Sequence, residues 1–188
     1  MKKTLVLIAI LTLALWATSH AIIGIGVRAG MGSYGNGSSK SGLLLGAHVD
    51  FTALPMIGLE ASATYWPKKE ESTSGSYKTT LNYSVISLDG TAKYKISLPG
   101  SPLVPYIGAG PGLYMTKVKS ETSPAPLPPA VASWDTSQTK FGIHGALGAN
   151  LKLPTMPVSF GVQGKYSYIL SDPKSHMLSI VGLMTYNF

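Results

Sequence analysis

The stretch Ile22-Ile-Gly-Ile-Gly-Val-Arg-Ala-Gly-Met-Gly-Ser-Tyr34 decides the fold, because apolar residues alternate along it with small or polar ones. Ile25 and Val27 fall on one face of an extended strand, and Gly26 and Arg28 fall on the other, since successive side chains of a β-strand point in opposite directions. A period of two over this length predicts a β-strand that presents one apolar face.

The same alternation recurs along the rest of the chain, in segments separated by turn residues. After Ala21 the sequence has no sustained helical period and no apolar run of the roughly 20 residues that a membrane helix needs. We therefore expect an all-β protein with eight strands. The predicted strands are residues 22–34, 42–51, 57–66, 77–96, 104–118, 140–153, 158–169 and 177–188.

The amino-terminal residues resemble an export signal rather than part of the fold. Two lysines are followed by an apolar run from Leu5 to Trp16 and then by small residues up to Ala21. This run is too short to cross a bilayer, and the small residues suit a signal-peptidase site. We expect residues 1–21 to be a signal peptide and residues 22–188 to form one β-barrel domain.

The composition narrows the class of protein further. Charged residues make up 12% of the chain, about half of the roughly 25% that soluble domains carry, and there are 21 glycines. The absence of cysteine excludes disulfides and thiol chemistry. The formal net charge of +7 is spread along the sequence, so nucleic acid is not an expected partner.

The charge distribution also indicates which face of each strand meets lipid. A soluble barrel would place its apolar face inward and many Lys and Glu residues outward, but the polar faces here hold mainly Gly, Ser and Thr. Such residues fit the crowded lumen of a small barrel whose apolar face meets lipid. The sequence therefore predicts an eight-stranded antiparallel up-and-down transmembrane β-barrel.

The connections between the strands predict the orientation of the barrel. Outer-membrane barrels have short periplasmic turns and longer extracellular loops. The short, proline-containing connections should therefore be periplasmic, and the longer polar ones extracellular; Asn36-Gly37 also predicts an extracellular hairpin turn. The short connections are residues 52–56, 98–102 and 154–157, and the long ones are 67–76 and 119–139, the latter including an extended proline-rich stretch at 124–129.

Charged residues on the polar faces predict a network inside the lumen. A turn near Leu54 would place His48 opposite Glu60, and Asp50 opposite Gly58. These groups have two readings, a proton-linked or catalytic cluster and a structural network of paired charges. We favour the structural network, since buried charges must be paired. Its predicted members are Arg28, His48, Asp50, Glu60, Asp89, Lys93, His144 and Lys165.

Other motifs do not support a catalytic, cofactor or metal site. Gly24–Ala29 nominally fits a dinucleotide-binding glycine motif, but no strand precedes it and no helix follows it. His48 and His144 lack a second ligand at a diagnostic spacing for a metal. His176 and Ser179 fall on opposite faces of the last strand, so they do not form a nucleophile and base pair.

The last strand carries a resemblance to a known group of proteins. An alternating, largely apolar face ends in Tyr186 and Phe188, and residues 104–110 look like the start of a central strand in small barrels. In these features the chain resembles bacterial outer-membrane proteins of the OmpA, OmpX and OmpW kind. The resemblance implies an outer-membrane location and an assembly signal at Tyr186 and Phe188 that the barrel-assembly machinery reads.

The functional expectation is a monomer, surrounded by outer-membrane lipids, with a structural or surface-interaction role through its extracellular loops and a surface ligand as a possible partner. A small pore or hydrophobic-solute conduit of the OmpW kind is the alternative, and a lipid-modifying membrane enzyme is the third choice. The lumen of an eight-stranded barrel is filled by side chains, so it should not pass solutes freely.

Overall fold

A computed structural model describes residues 22–34, 41–54, 56–74, 77–123, 133–153, 155–170 and 175–188. Eight strands form a closed barrel in which sequence neighbours pair and the last strand pairs with the first, every pairing being antiparallel. The predicted all-β, eight-stranded up-and-down barrel is confirmed. The strands are β1 (Ile22–Tyr34), β2 (Ser41–Leu54), β3 (Ile57–Ser74), β4 (Tyr77–Lys95), β5 (Leu103–Ser123), β6 (Ser133–Lys152), β7 (Val158–Leu170) and β8 (Ser175–Asn187).

Within these ranges, no helix is long and apolar enough to span a membrane.

The outer face of the barrel is apolar, as the alternation predicts. In β8, Leu178 and Ile180 are more than half exposed, while Met177 and Val181 are almost completely buried. Large apolar side chains are exposed in the same way on all the other strands, and Leu147 on β6 is the most exposed of those within a strand, at 67%. An apolar surface of this extent is not stable in water, so it is the face that meets lipid.

Of four consecutive long strands, β4 was predicted at nearly its full length, whereas β3, β5 and β6 are much longer than the sequence predicts. β3, β4, β5 and β6 contain 18, 19, 21 and 20 residues, whereas β1 contains 13. The expectation that 67–76 and 119–139 are loops was wrong for residues 67–74, 119–123 and 133–139, which are strand. The β3–β4 ladder continues to Ser74 and Tyr77, and the β5–β6 ladder continues to Glu121 and Ser133. The polar residues that suggested loops lie in a sheet that continues beyond the lipid.

Pro67 is compatible with this longer strand because of its position in the sheet. The β2–β3 ladder ends at the Leu45–Tyr65 pair, so β3 is an edge strand from Pro67 onward. A residue without an N–H group is tolerated on an edge strand. Proline is therefore not a strand terminator at this position.

The long strands extend well past one side of the membrane. At about 3.4 Å per residue and a tilt of about 45°, a strand of 20 residues rises roughly 48 Å, compared with about 25 Å for the apolar band of such barrels. We call the surplus the β3–β6 extension. It consists of residues 67–74, 77–84, 117–123 and 133–139.

The two ends of the barrel differ accordingly. The connections β2–β3, β4–β5 and β6–β7 lie at the turn end, together with Phe188, and Gly100 there adopts a positive φ of 76°. The other end, from which the β3–β6 extension projects, is the loop end. The predicted signal peptide at 1–21, the turn at Asn36-Gly37 and the stretch at 124–129 lie outside the described residues.

Candidate functional site

The predicted group of charges on β2 and β3 lines one wall of the lumen, but in a different register. Asp50 pairs with Glu60 and His48 with Ser62, and the expected pairing of His48 with Glu60 was wrong by two residues. An irregularity between Thr52 and Leu54 shifts the ladder next to the turn. Because the shift is an even number of residues, His48, Asp50 and Glu60 keep the face that was expected.

Two cations and two carboxylates form the turn-end cluster, which consists of Arg28, Asp50, Glu60 and Lys93 together with His48. Arg28 Nη2 lies 2.7 Å from Glu60 Oε1, and Lys93 Nζ lies 2.7 Å from both Asp50 Oδ1 and Glu60 Oε2. Arg28, Glu60 and Lys93 have at most 1% of their side-chain surface exposed. The charges balance, as burial in a narrow lumen requires.

His48 joins this cluster to the strand that closes the barrel. Its Nε2 atom lies 2.8 Å from the hydroxyl of Thr185 on β8 and 3.6 Å from Asp50 Oδ2. Which partner donates the hydrogen depends on the imidazole tautomer. The imidazole therefore links β2 to β8 across the lumen through neighbours that can accept or donate a proton.

Sequence reasoning missed two residues that contact the turn-end cluster, Gln163 and Tyr106. Gln163 donates from Nε2 to the hydroxyl of Tyr106 at 3.1 Å and accepts from Arg28 Nη1 at 3.4 Å. The Lys93 ammonium lies 4.8 Å from the centroid of the Tyr106 ring. The alternation placed Gln163 on the polar face of β7. Because Gln163 is uncharged and Tyr106 is aromatic, the sequence did not indicate that they contact the charged residues.

A second group, the loop-side cluster, contains the remaining predicted members. Lys165 Nζ donates to Asp89 Oδ2 at 2.5 Å, and Ser87 donates to the same oxygen at 2.9 Å. His144 Nδ1 lies 3.8 Å from Asp89 Oδ1, and its Nε2 lies 2.8 Å from the hydroxyl of Thr91. The single network that the sequence predicts is therefore two charge-paired clusters.

A small cavity lies where the two clusters approach each other. It is bordered by Arg28 and Gln163 on one side and by Ser87 and Lys165 on the other, with Leu44 among the apolar side chains that complete it. Its volume is about 10 Å³, which leaves room for no more than one water molecule. Side chains therefore fill the space between the clusters.

An apolar plug fills another part of the lumen, which the sequence predicted to be small and polar. Trp66 is 1% exposed and donates from Nε1 to the carbonyl of Gly32 at 3.0 Å. Its ring also packs against Tyr34 and Tyr83, with centroids 6.2 and 5.7 Å away. The buried members of the plug are Leu44, Trp66, Val85, Tyr114, Ile169, Met177, Val181 and Leu183.

The glycines of the lumen face make room for these large side chains. A Cβ atom on Gly148 would lie 2.5 Å from the Tyr106 hydroxyl, and one on Gly26 would lie 2.5 Å from Cε1 of His48. Gly26 belongs to the segment 24–29 that nominally fits a nucleotide-binding motif. That segment lies inside β1, where its glycines are packing space in a barrel wall.

The remaining residues of interest lie on the outer face or apart from one another. Ser179 is buried in the lumen, whereas the His176 ring stacks on Tyr166 with its Nδ1 3.1 Å from the tyrosine hydroxyl. At the turn end, Tyr186 and Phe188 form an edge-to-face pair with ring centroids 5.0 Å apart. The Phe188 backbone N–H donates to the carbonyl of Ile23 at 2.9 Å.

The part of the chain that the structure describes has no group of three or more His, Asp or Glu side chains arranged to hold a metal ion.

A closed antiparallel barrel with an apolar outer face and paired charges inside defines a bacterial outer-membrane β-barrel protein. The chain belongs to the family described as outer membrane protein beta-barrel domain, whose model matches residues 4–182. This assignment places the protein in the bacterial outer membrane, as the sequence predicted. None of the curated proteins matches the chain significantly.

Solved structures of outer-membrane barrels share the fold. Neisserial surface protein A is 14% identical, with a TM-score of 0.63 over 89% of this chain and 97% of that chain. A major outer membrane protein of Thermus thermophilus is 13% identical, with a TM-score of 0.63 over 89% and 99%. Ail, the attachment invasion locus protein of Yersinia pestis, is 15% identical, with a TM-score of 0.52 over 89% and 97%.

Proposed function

We propose that this protein is a non-enzymatic, structural or surface-interaction protein that acts through its loop end, which faces the cell exterior. The observation that carries the proposal is the filled lumen. The turn-end cluster, the loop-side cluster and the apolar plug occupy the interior, and the cavity between the clusters measures only about 10 Å³. The barrel therefore serves as an anchor for what it displays.

The interior does not favour passage of solutes. A path for ions would have to displace Trp66 and Tyr114 and separate Lys93 from two carboxylates to which it is paired at 2.7 Å. Separating buried charge pairs is costly, because each charge is left without water or a partner. The pore or hydrophobic-solute conduit therefore remains the alternative to the proposal. Among the residues that the structure describes, His176 and Ser179 lie on opposite faces of β8, so they do not support the enzyme.

The β3–β6 extension supplies the surface for interaction. It continues the hydrogen-bonded sheet beyond the lipid, and its residues from Asp135 to Thr139 are exposed. The related fold is found in proteins named as a Neisserial surface protein and as an attachment invasion locus protein, the latter solved also with the heparin analogue sucrose octasulfate. These names support a surface role as a proposal for this chain.

Electrical recording separates the proposal from its alternative. The refolded protein in planar bilayers should give no steady unitary currents, because Trp66 and the clusters below it fill the lumen. The double variant Trp66→Ala/Tyr114→Ala, which removes two rings of the apolar plug, serves as the comparison and should raise the frequency of current events. Steady unitary steps from the unmodified protein would establish the pore instead.

The orientation is open to a direct test because the chain has no native cysteine. Ser137→Cys lies on the exposed β3–β6 extension, and Ser97→Cys lies at the turn end. On intact cells a membrane-impermeant maleimide should label the first variant and leave the second unlabelled until the cells are lysed. The reverse pattern would invert the barrel and place the β3–β6 extension in the periplasm.

We also propose that Tyr186 and Phe188 are recognised by the barrel-assembly machinery. Phe188→Ala should lower the amount of folded, heat-modifiable protein in cells severalfold. The refolded variant should keep nearly normal stability, because Phe188 is 74% exposed and its truncation removes few packing contacts. Phe160→Ala, another outer-face aromatic near the turn end, is the matched control. Equal losses for both variants in cells would remove the special role of Phe188.

A further inference from the structure

A lysine-rich groove lies on the outer wall of the barrel where the β3–β6 extension leaves the lipid. It has a volume of about 400 Å³, and four lysines contribute to its lining. Lys69, Lys117 and Lys119 lie on the outer face, whereas the Lys68 ammonium lies 5.6 Å from the centroid of the Trp66 ring on the lumen side. Its wall is formed by β3, β4 and β5. The lining residues are Tyr65, Pro67, Lys68, Lys69, Asn82, Tyr83, Ser84, Lys117 and Lys119.

The register of the three strands fixes the height of this groove relative to the membrane. Each outward-facing residue of β4 pairs with one residue of β3 and one of β5, and the three together form a row across the sheet. The two lower rows are apolar or aromatic, and the two upper rows are polar and cationic. From the lipid upward, the rows are Ala63–Leu88–Leu113, Tyr65–Ile86–Met115, Pro67–Ser84–Lys117 and Lys69–Asn82–Lys119.

The change from apolar to cationic therefore takes place within one row, at the level of Lys117. Tyr65 lies directly below this boundary, where an aromatic residue with a polar tip is favoured by the interface between lipid and water. Ser84 and Asn82 stand between the lysines of β3 and β5 and add neutral hydrogen-bond donors. This row level corresponds to lipid head groups.

Among the side chains that the structure describes, two carboxylates pair with lysines of the groove, and they compete only weakly for them. Lys69 Nζ lies 2.8 Å from Glu71 Oε1, and Lys119 Nζ lies 3.5 Å from Asp135 Oδ2. The side chains of both pairs are between 41% and 61% exposed, and ion pairs this exposed are worth little. An anion with more than one negative charge can therefore engage the same ammonium groups.

We propose that the groove binds the phosphorylated head group of a glycolipid in the outer leaflet, with the acyl chains on the apolar rows beneath. The ammonium groups of Lys69, Lys117 and Lys119 contact the phosphate, and Ser84 and Asn82 donate to phosphate or sugar oxygens. The proposal rests on the loop end facing the exterior. The whole barrel must contact outer-membrane lipid, and the proposal places one specific lipid contact at this groove.

The position of the groove favours a lipid over a free anion. A soluble phosphate would gain only the charge interactions, whereas a lipid places its head group beside the lysines and its chains against Leu88, Leu113 and Ile86 in the same event. Basic residues near a membrane surface contribute about 1 kcal/mol each toward anionic lipids. The lipid therefore gains from both halves of the site.

Binding is tested with the whole barrel in phospholipid nanodiscs that contain purified lipopolysaccharide as the probe. Native mass spectrometry should show retained lipopolysaccharide on the unmodified protein, and Lys117→Gln/Lys119→Gln should weaken retention about tenfold, since two phosphate-facing charges are lost. Lys117→Arg/Lys119→Arg should keep most of it. Lys152→Gln, an exposed lysine at the turn end, is the single-charge control for Lys117→Gln.

Each further arm of this experiment supports or overturns the proposal. Chemically dephosphorylated lipopolysaccharide should not be retained, and millimolar inorganic phosphate should not displace the intact lipid. Displacement by phosphate would mean a free-anion site, and equal losses for Lys152→Gln and Lys117→Gln would mean non-specific attraction; either result overturns the lipid site. The labelling experiment tests the orientation, and the conductance experiment tests the filled lumen, so a failure of the lipid site can be distinguished from a failure of the surface role.

Discussion

Replacing Lys93 by methionine should destabilise the barrel by about 3 kcal/mol, because it removes one partner from a buried ion-pair cluster. The Lys93 ammonium has no exposed surface and lies 2.7 Å from both Asp50 and Glu60. In Lys93→Met, Glu60 keeps only Arg28, and Asp50 loses its cation. Reversible urea unfolding of the refolded protein in short-chain lipid vesicles measures the change.

The same substitution at an exposed ion pair is the matched control. Lys69 Nζ lies 2.8 Å from Glu71 Oε1, nearly the distance found at Lys93, but both of these side chains are exposed. Lys69→Met should therefore cost no more than about 0.5 kcal/mol. Equal costs for the two variants would show that burial does not determine the strength of the ion pairs in this barrel.

A second substitution identifies the source of the loss. Lys93→Met/Glu60→Gln removes one cation and one buried carboxylate, so the double variant should recover about half of the stability lost in Lys93→Met. Arg28 then keeps a neutral hydrogen-bond partner in place of Glu60. A double variant that is less stable than Lys93→Met alone would locate the cost in lost hydrogen bonds and not in unpaired charge.

The faces of the strands were predictable from the sequence because they depend only on whether a position is odd or even. The observed β2–β3 register differs from the expected one by two residues, yet His48 and Glu60 still face the lumen. Register itself was not predictable, since a turn near Leu54 allows several closures with the same faces. A shift of two residues leaves each side chain on the same face of its strand but changes the residue that it pairs with.

The ends of β3, β5 and β6 at the loop end were not predictable for a different reason. Between Pro67 and Ser74 the side chains turn polar, which marks where lipid ends and water begins. A hydrogen-bonded ladder does not need lipid, and β3 and β4 continue to pair through this polar region. The sequence pattern therefore indicated the membrane boundary and was misread as the end of the strands.

The arrangement inside the lumen depends on contacts between strands that are far apart in sequence. Gln163 on β7 bridges Arg28 on β1 and Tyr106 on β5, and closure of the barrel brings them together. Alternation assigns a residue to the lumen face but gives no partner across the lumen. The division into two charged clusters and an apolar plug could therefore be obtained only from the three-dimensional structure.

The second large loss of stability is expected from a substitution on the outer, lipid-facing side of the barrel. Leu147→Arg places a charge on an outward-facing position that is 67% exposed, in the lower part of β6, where the neighbouring position on β5 is Ile107. A charged side chain facing lipid near the bilayer midplane costs about 2 to 4 kcal/mol in outer-membrane barrels. The same vesicle unfolding assay should record a loss of this size.

Two further positions on the same strand and the same face test whether the cost follows depth in the membrane. Ile143→Arg lies four residues closer to the loop end and should cost less than Leu147→Arg, and Ser137→Arg, on the β3–β6 extension, should be nearly silent. Because all three positions share an orientation, only their height relative to lipid differs. Equal losses of stability for the three variants would mean that the β3–β6 extension and the barrel wall meet the same medium. The boundary between lipid and water at the level of Lys117 would then be wrong.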